Sequence, residues 1–299
     1  MRYGYVGLGH LGGLLAASLI RAGFDVTVYD RDPVAVSRLG DMGAAIATSL
    51  PDLAGRVDHV FTCLPSPQIS ETVLAQLLPF LPEGAHWIEN STLGRDDVLR
   101  LGHLAGDQGV RMLEAPVTGG VHLAARGAIT VLVGGADEVY RTHLPALKAI
   151  GGRHFHMGQL GNAAVIKVIT NMLAFIHLVA DGEALMLARR GGLDLKTAWE
   201  AIRASSGNSF VHETEGQLIL NGSYDVGFSM DLALKDLGFA MDFGRDYGVP
   251  LDLAALTRQT FARGRAAYGG SASSTQIVKL LEDLLGTDLR AAGFPPQLE

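Results

Sequence analysis

Gly7-Leu8-Gly9-His10-Leu11-Gly12 stands six residues into the chain, and its surroundings decide how the first half should fold. Residues 1–6 are apolar enough for a short first strand, and residues 14–22 have the Ala/Leu texture of a helix. The three glycines occupy the turn between them. In a strand–turn–helix unit each has its own use. Gly7 permits the tight turn, Gly9 lets the backbone approach a pyrophosphate, and Gly12 lets the helix pack against the strand. Amide N–H groups and the positive end of the helix dipole would then face phosphate. A second apolar run, 24–29, ends at Asp30, 18 residues after Gly12. That is close to the roughly 20 residues expected before a carboxylate that hydrogen-bonds a ribose 2′-hydroxyl. Asp30 favours NAD, because it repels a 2′-phosphate; Arg31 beside it could pair with one, which leaves NADP open.

Composition sets the remaining bounds. The chain has 299 residues, 48% hydrophobic and 18% charged, with a formal net charge of −7. Length favours two domains over one. No run of Lys or Arg marks a nucleic-acid surface. The one cysteine, Cys63, excludes an internal disulfide and fits a reducing compartment; within residues 60–64 it reads as a core strand position. The strand beginning at the initiator Met leaves no room for a signal peptide, so a cytoplasmic protein is expected. The longest apolar stretch, 163–180, carries Lys167, Asn171 and His177 and reads as a buried helix rather than a membrane span.

Apolar runs at 3–6, 25–29, 59–64, 87–90 and 111–115 alternate with helix-sized stretches, which predicts a parallel sheet covered on both faces. Further strands are expected at 129–135 and 154–157. His154 and His156 share a face there, but no third ligand accompanies them, and no metal site is expected. From 161 to 190 the pattern is one long helix, ending at Arg189-Arg190 and then Gly191-Gly192, a good C-terminal signature. Beyond it, 195–204, 232–247, 253–267 and 274–285 are all helical in texture. The expected architecture is therefore an α/β Rossmann-type N-terminal domain (1–160), a long interdomain helix (161–190) and an all-α C-terminal domain (191–299).

Three further motifs carry chemistry. Glu114-Ala115-Pro116-Val117-Thr118-Gly119-Gly120 follows a strand and offers a hydroxyl and two glycine amides, a cradle for a carboxylate. Lys167 and Asn171 lie four residues apart on the long helix and share a face. Lys235-Asp236 lies on a later helix. With the glycine loop, Leu64-Pro65 and Glu89-Asn90-Ser91-Thr92, these motifs occur in the order found in the β-hydroxyacid dehydrogenase family, which the chain resembles nearly end to end.

The resemblance implies specific roles. Lys167 matches the catalytic lysine and Asn171 the amide that orients substrate. Thr118, Gly119 and Gly120 match the carboxylate-binding loop, usually Ser-Gly-Gly. Leu64, Pro65 and Thr92 join Gly7, Leu8, Gly9, His10, Leu11, Gly12, Asp30 and Arg31 as cofactor contacts. Lys235 matches a lysine that closes over the nicotinamide end, touching cofactor and substrate. Two positions depart from the pattern: Ala163 replaces the second glycine of a Gly-x-Gly, and Thr170 replaces the first of two asparagines. An altered substrate fit is expected from both.

The resemblance thus implies a hydride transfer between NAD(P) and a small β-hydroxy acid or its semialdehyde, with Lys167 as general acid and base. The apolar all-α second domain suggests association between subunits, as a homodimer or homotetramer, and the glycine loop taken with the other motifs reads as one wall of a cleft between two domains. Two other readings stay open: an imine reductase, which shares the architecture but usually lacks the lysine, and a cofactor-binding protein without catalysis. Residues expected near the substrate side group are Val121, His122, 205–209 and Phe228.

Overall fold

The computed structural model describes residues 1–298. The chain divides into two compact units, Met1–Lys167 and a second from Val168 onward. The helix Asn162–Arg190 runs through that division.

The first unit is built on a six-stranded parallel sheet. Its strands are β1 (Arg2–Val6), β2 (Asp25–Tyr29), β3 (Ala45–Ile46), β4 (His59–Thr62), β5 (His86–Glu89) and β6 (Arg111–Glu114), in the order β3-β2-β1-β4-β5-β6. Strands covered on both faces read as continuous apolar runs; Tyr3, Tyr5, Val28, Phe61, Trp87, Ile88 and Leu113 accordingly lie in the core. Between strands, helices start where the sequence provides caps. Asp32 and Ser66 each accept a backbone N–H of the following turn, and Pro33 and Pro67 fill the first helical position, where no N–H is needed. The sheet order reverses between β1 and β4, the point outside which open α/β sheets bind ligands.

Three details differ from the sequence expectations. The fourth strand stops at Thr62 rather than residue 64, because Leu64 N–H donates to Ser91 Oγ (2.6 Å) and not to a strand partner. The runs at 129 and 154 do not extend the large sheet. They form a second sheet, in which β7 (Val117–Thr118) pairs antiparallel with β8 (Ile129–Val133), and β8 pairs parallel with β9 (Gly151–His156). Pro116 ends the sixth strand's ladder, lacking the N–H to continue it, and its carbonyl accepts from Leu132 N–H instead (2.9 Å). The short strands β3 and β7 carry too few residues for a sequence period to reveal.

The second unit is helical: Leu195–Arg203, Phe210–Asn221, Met230–Tyr247, Asp252–Tyr268, a 3-10 turn Ser274–Val278, and Lys279–Leu285. Its core gathers Phe175, Leu185, Trp199, Ile219, Met230, Leu237, Phe261 and Ile277. The helix Phe210–Asn221 was not foreseen; Gly216 obscures its pattern. That glycine is there because a Cβ would press on Asp181 Oδ2 (3.1 Å) and the Trp199 indole nitrogen (3.2 Å). Asp181 is buried with His212, whose Nδ1–H donates to Oδ1 (2.5 Å) and whose Nε2–H donates to Trp199 O (2.9 Å). Burial opposes a charge on His212, but these acceptors outweigh it and raise its pKa. The expected helix 274–285 begins as the 3-10 turn.

The long helix also departs from expectation. It is 29 residues long with an 18-residue window of mean hydropathy 1.9, of which 33% is buried. Ile169, Leu173 and Leu187 stand exposed on it.

Candidate active site

The register of the large sheet aligns its carboxyl ends: Val6 pairs with Tyr29 and Thr62, Thr62 with Glu89, and Glu89 with Glu114. The loops leaving these residues carry Gly7–Gly12, Asp30-Arg31, Leu64-Pro65, Thr92 and the Ala115–Gly120 segment. One edge of the unit thus collects every N-terminal motif.

The glycine loop is shaped by close packing. Gly7 has φ +91°, and a Cβ on it would overlap the carbonyl of Cys63. A Cβ on Gly12 would overlap the carbonyl of Gly7. Around Gly9 there is open space within 4 Å, so the backbone there is bare to an approaching group. His10 is exposed beside it and Leu11 half-buried. Leu8 has a different place: its side chain lies in the core and its N–H donates to Asp30 Oδ2 (2.6 Å). Asp30 Oδ1 accepts from Asp32 N–H (2.8 Å). The carboxylate therefore ties the glycine loop to the end of β2. It also lines a cleft of about 540 Å³ with Arg31, Val36, Ser37, Ile46 and Thr48. A bare amide turn at a helix start and an adjoining cleft bearing Asp30 and Arg31 fit a dinucleotide: pyrophosphate at the glycines, adenosine in the cleft.

Behind Leu64 lies a buried carboxylate that sequence reasoning did not single out. Glu89 accepts from the N–H and hydroxyl of Ser91, and Ser91 Oγ accepts from Leu64 N–H. Burial pushes Glu89 up to about 6, against the pull of Ser91. Cys63 precedes Leu64 half-buried, its thiol pushed up to about 12 by burial and then by Glu89, so it is no thiolate at neutral pH. Pro65 is exposed and Thr92 half-buried.

Beyond β6, Asn90 Nδ2 donates to Ala115 O (2.7 Å), and Tyr5 OH donates to Asn90 Oδ1 (3.0 Å), fixing the loop's first turn. Thr118 is half-buried and ends β7. Gly119 (φ +126°) and Gly120 (φ +84°) both adopt the left-handed region that side chains resist. Val121 and His122 follow in the short helix Gly120–Ala125.

Lys167 lies in the first unit, in the second turn of the long helix and only 7% exposed. It is not a surface lysine reaching into water. The start of its helix is held by Glu114: Oε1 accepts from Gly161 N–H (2.5 Å) and Ala163 N–H (3.0 Å), and Oε2 from Ala164 N–H (2.9 Å).

In the second unit, Asn171 Nδ2 donates to Asp236 Oδ2 (2.6 Å), and Lys235 Nζ donates to Asp236 Oδ1 (2.8 Å). Asp236 is wholly buried. The Lys235 ammonium also sits over the Phe239 ring at 5.0 Å. Of the residues expected near the substrate side group, Ser209 caps the helix Phe210–Asn221 and Phe228 packs against Phe175.

One cluster lies at the opposite, amino ends of the strands. His59, His86 and His143 bring ring nitrogens within 4.8 Å of one another. His86 Nδ1 and His143 Nε2 share a hydrogen bond (2.8 Å), His143 Nδ1 meets Tyr3 OH (3.0 Å), and His59 Nδ1 accepts His86 N–H (3.0 Å). Burial lowers all three, His86 to about 4 and His143 to about 3. His86 and His143 are hydrogen-bonded buried imidazoles, and half-buried His59 joins them through the His86 backbone.

A reversed sheet order, a glycine turn at its switch point and an acid-bearing cleft beside it define a dinucleotide-binding domain of the Rossmann type. The chain belongs to the β-hydroxyacid dehydrogenase family. Residues 2–158 match the NAD binding domain of 6-phosphogluconate dehydrogenase, and residues 161–281 match the NAD-binding domain of NADP-dependent 3-hydroxyisobutyrate dehydrogenase. It is 33% identical to an L-threonate dehydrogenase of Cupriavidus necator, over 93% of this chain and 95% of that one. It is 31% identical to a 2-(hydroxymethyl)glutarate dehydrogenase of Eubacterium barkeri, over 97% of both. The solved 3-hydroxyisobutyrate dehydrogenase of Mycobacterium tuberculosis superposes with a TM-score of 0.84 at 29% identity, covering 94% of this chain and 99% of that one. An imine reductase of Myxococcus stipitatus shares the fold at 15% identity and a TM-score of 0.63, over 94% of this chain and all of that one. The cofactor is NAD(P).

Proposed function

We propose that the protein oxidises a small β-hydroxy acid, or reduces the matching semialdehyde, with Lys167 as general acid and base. The observation that carries this reading is Lys167 itself, a buried lysine held on a helix whose first turn is fastened to the strand leading into the Thr118-Gly119-Gly120 loop. The nicotinamide, when bound, supplies or accepts the hydride. In reduction the Lys167 ammonium polarises the carbonyl and gives its proton to the forming alkoxide oxygen; in oxidation the neutral amine takes the hydroxyl proton. Asn171 donates its Nδ2 hydrogen to Asp236, so the amide presents Oδ1 to a hydroxyl or ammonium donor. The amides of Gly119 and Gly120 and the Thr118 hydroxyl hold the substrate carboxylate. Lys235, paired with Asp236, adds positive potential for the acid and the nicotinamide end of the cofactor.

Asp30 at the adenosine cleft favours NAD over NADP. The exposed Ile169, Leu173 and Leu187 fit burial against a second copy in a cytoplasmic homo-oligomer. The three dehydrogenases named above are each named for a hydroxy acid, which sets the class to test. A panel of hydroxy acids assayed with NAD and NADP in parallel decides the reading: turnover on at least one β-hydroxy acid supports it. Higher activity on cyclic imines, or tight cofactor binding without turnover on any acid, contradicts it.

A further inference from the structure

We propose that Glu114 is a positioning residue for the reaction: its ionised carboxylate clamps the first turn of the long helix and thereby fixes where Lys167 stands relative to the carboxylate-binding loop. The inference rests on the Lys167 reading above.

Three observations converge on it. First, the bonding is complete. The amides of Gly161, Ala163 and Ala164 are among the donors an α-helix leaves without internal partners at its start. One carboxylate takes all three, at 2.5, 3.0 and 2.9 Å. Such charge-assisted bonds are shorter and roughly twice as strong as neutral ones, and an anion at a helix N-terminus also meets the positive end of the dipole. Second, space is reserved for it. Glu114 is 1% exposed, and a Cβ on Gly134, its bridge partner, would overlap Oε1. Gly161 has φ +94°, the backbone turn that aims its N–H at the carboxylate. Third, the connection is short at both ends. Glu114 is followed directly by Ala115-Pro116-Val117-Thr118-Gly119-Gly120, and Lys167 follows Ala164 by three residues, about 4.5 Å along the axis. Cradle and proton donor are thus referred to a single side chain.

The clamp has a pH signature. Burial pushes Glu114 up to about 7, while the three amides and Arg95 pull it back. Protonation replaces an acceptor with an O–H donor facing N–H groups, so the clamp weakens below neutrality. The tests compare Glu114→Gln with Glu114→Asp, which keeps the charge. In Glu114→Gln we expect kcat to fall at least tenfold with cofactor Kd within twofold, the acid limb near pH 7 to vanish from the kcat profile, and amide exchange at 161–164 to quicken. Glu114→Asp should retain more of kcat than Glu114→Gln. A wild-type kcat and acid limb in Glu114→Gln overturns the proposal, and so does faster exchange at 161–164 with kcat unchanged. Equal losses in both variants that merely track thermal unfolding overturn it too. Failure of the Lys167 reading is seen separately, as sustained turnover in Lys167→Ala, and leaves the exchange result intact.

Discussion

Asn171 Nδ2 lies 2.6 Å from Asp236 Oδ2, and this bond settles the orientation of the amide. Asp236 is wholly buried, while its neighbour Lys235 reaches back to the other carboxylate oxygen. Two residues that a sequence shows as an ordinary adjacent charge pair are therefore a buried anchor and the cation that offsets it. Asp236→Asn should turn an N–H of the new amide, or its weaker neutral oxygen, toward Asn171. We expect kcat to drop about tenfold and unfolding free energy by about 1.5–3 kcal/mol, the range for hydrogen bonds to charged groups. Steady-state kinetics with urea unfolding checks this; wild-type values in both would remove the role given to Asp236.

The histidine cluster predicts a loss of stability in acid. His86 and His143 have folded pKa values of about 4 and 3, below the usual value near 6.5. Their contribution is complete above pH 6.5 and is lost as pH falls toward 4 and 3, because the unfolded chain takes up the protons. Glu89 and Glu114, raised to about 6 and 7, act in the opposite sense: their contribution fades as pH rises through 4.5 toward those values. The informative quantity is thus the variant difference. His143→Gln should flatten the fall in stability between pH 6.5 and 4 by urea melts; an unchanged slope would contradict the assignment.

Cofactor preference should follow the cleft. Asp30→Ala removes the acceptor from Leu8 and Asp32 as well as the charge proposed to meet the ribose, so both cofactors should bind more weakly, NAD by the larger factor. Arg31→Ala should weaken NADP more than NAD. Calorimetric Kd values test both, and a larger loss for NADP in Asp30→Ala is the contrary result.

Gly134→Ala gives an independent route to the Glu114 carboxylate. The added methyl must displace Oε1, so its kinetic effect should resemble that of Glu114→Gln, with kcat falling and cofactor Kd held. Unchanged kcat in this variant would show that the carboxylate can move at no catalytic loss.

Five strands of the large sheet were legible because strands buried on both faces write apolar runs, and the glycine loop because backbone geometry restricts residue choice; the two-residue, exposed β3 was not. The second sheet was not. Its departure hinges on Pro116 and on hydrogen bonds across 134 and 114, which pair residues far apart in sequence. Lys167, Asn171 and the Thr118 loop stood out through motif order. The supports of Lys167 and Asn171, Glu114 and Asp236, were present in the same motifs yet silent, as was Glu89 behind Leu64, since a carboxylate's burial depends on what folds over it. Gly134 was a usable signal: a glycine closing an apolar strand marks a place where something comes close.

Lys167→Ala tests the central claim most directly. With cofactor Kd and unfolding midpoint measured on the same sample, we expect kcat to fall by about 10²–10⁴-fold, the usual share of general acid–base catalysis, while cofactor binding stays within twofold. Turnover within tenfold of wild type would show that another group moves the proton.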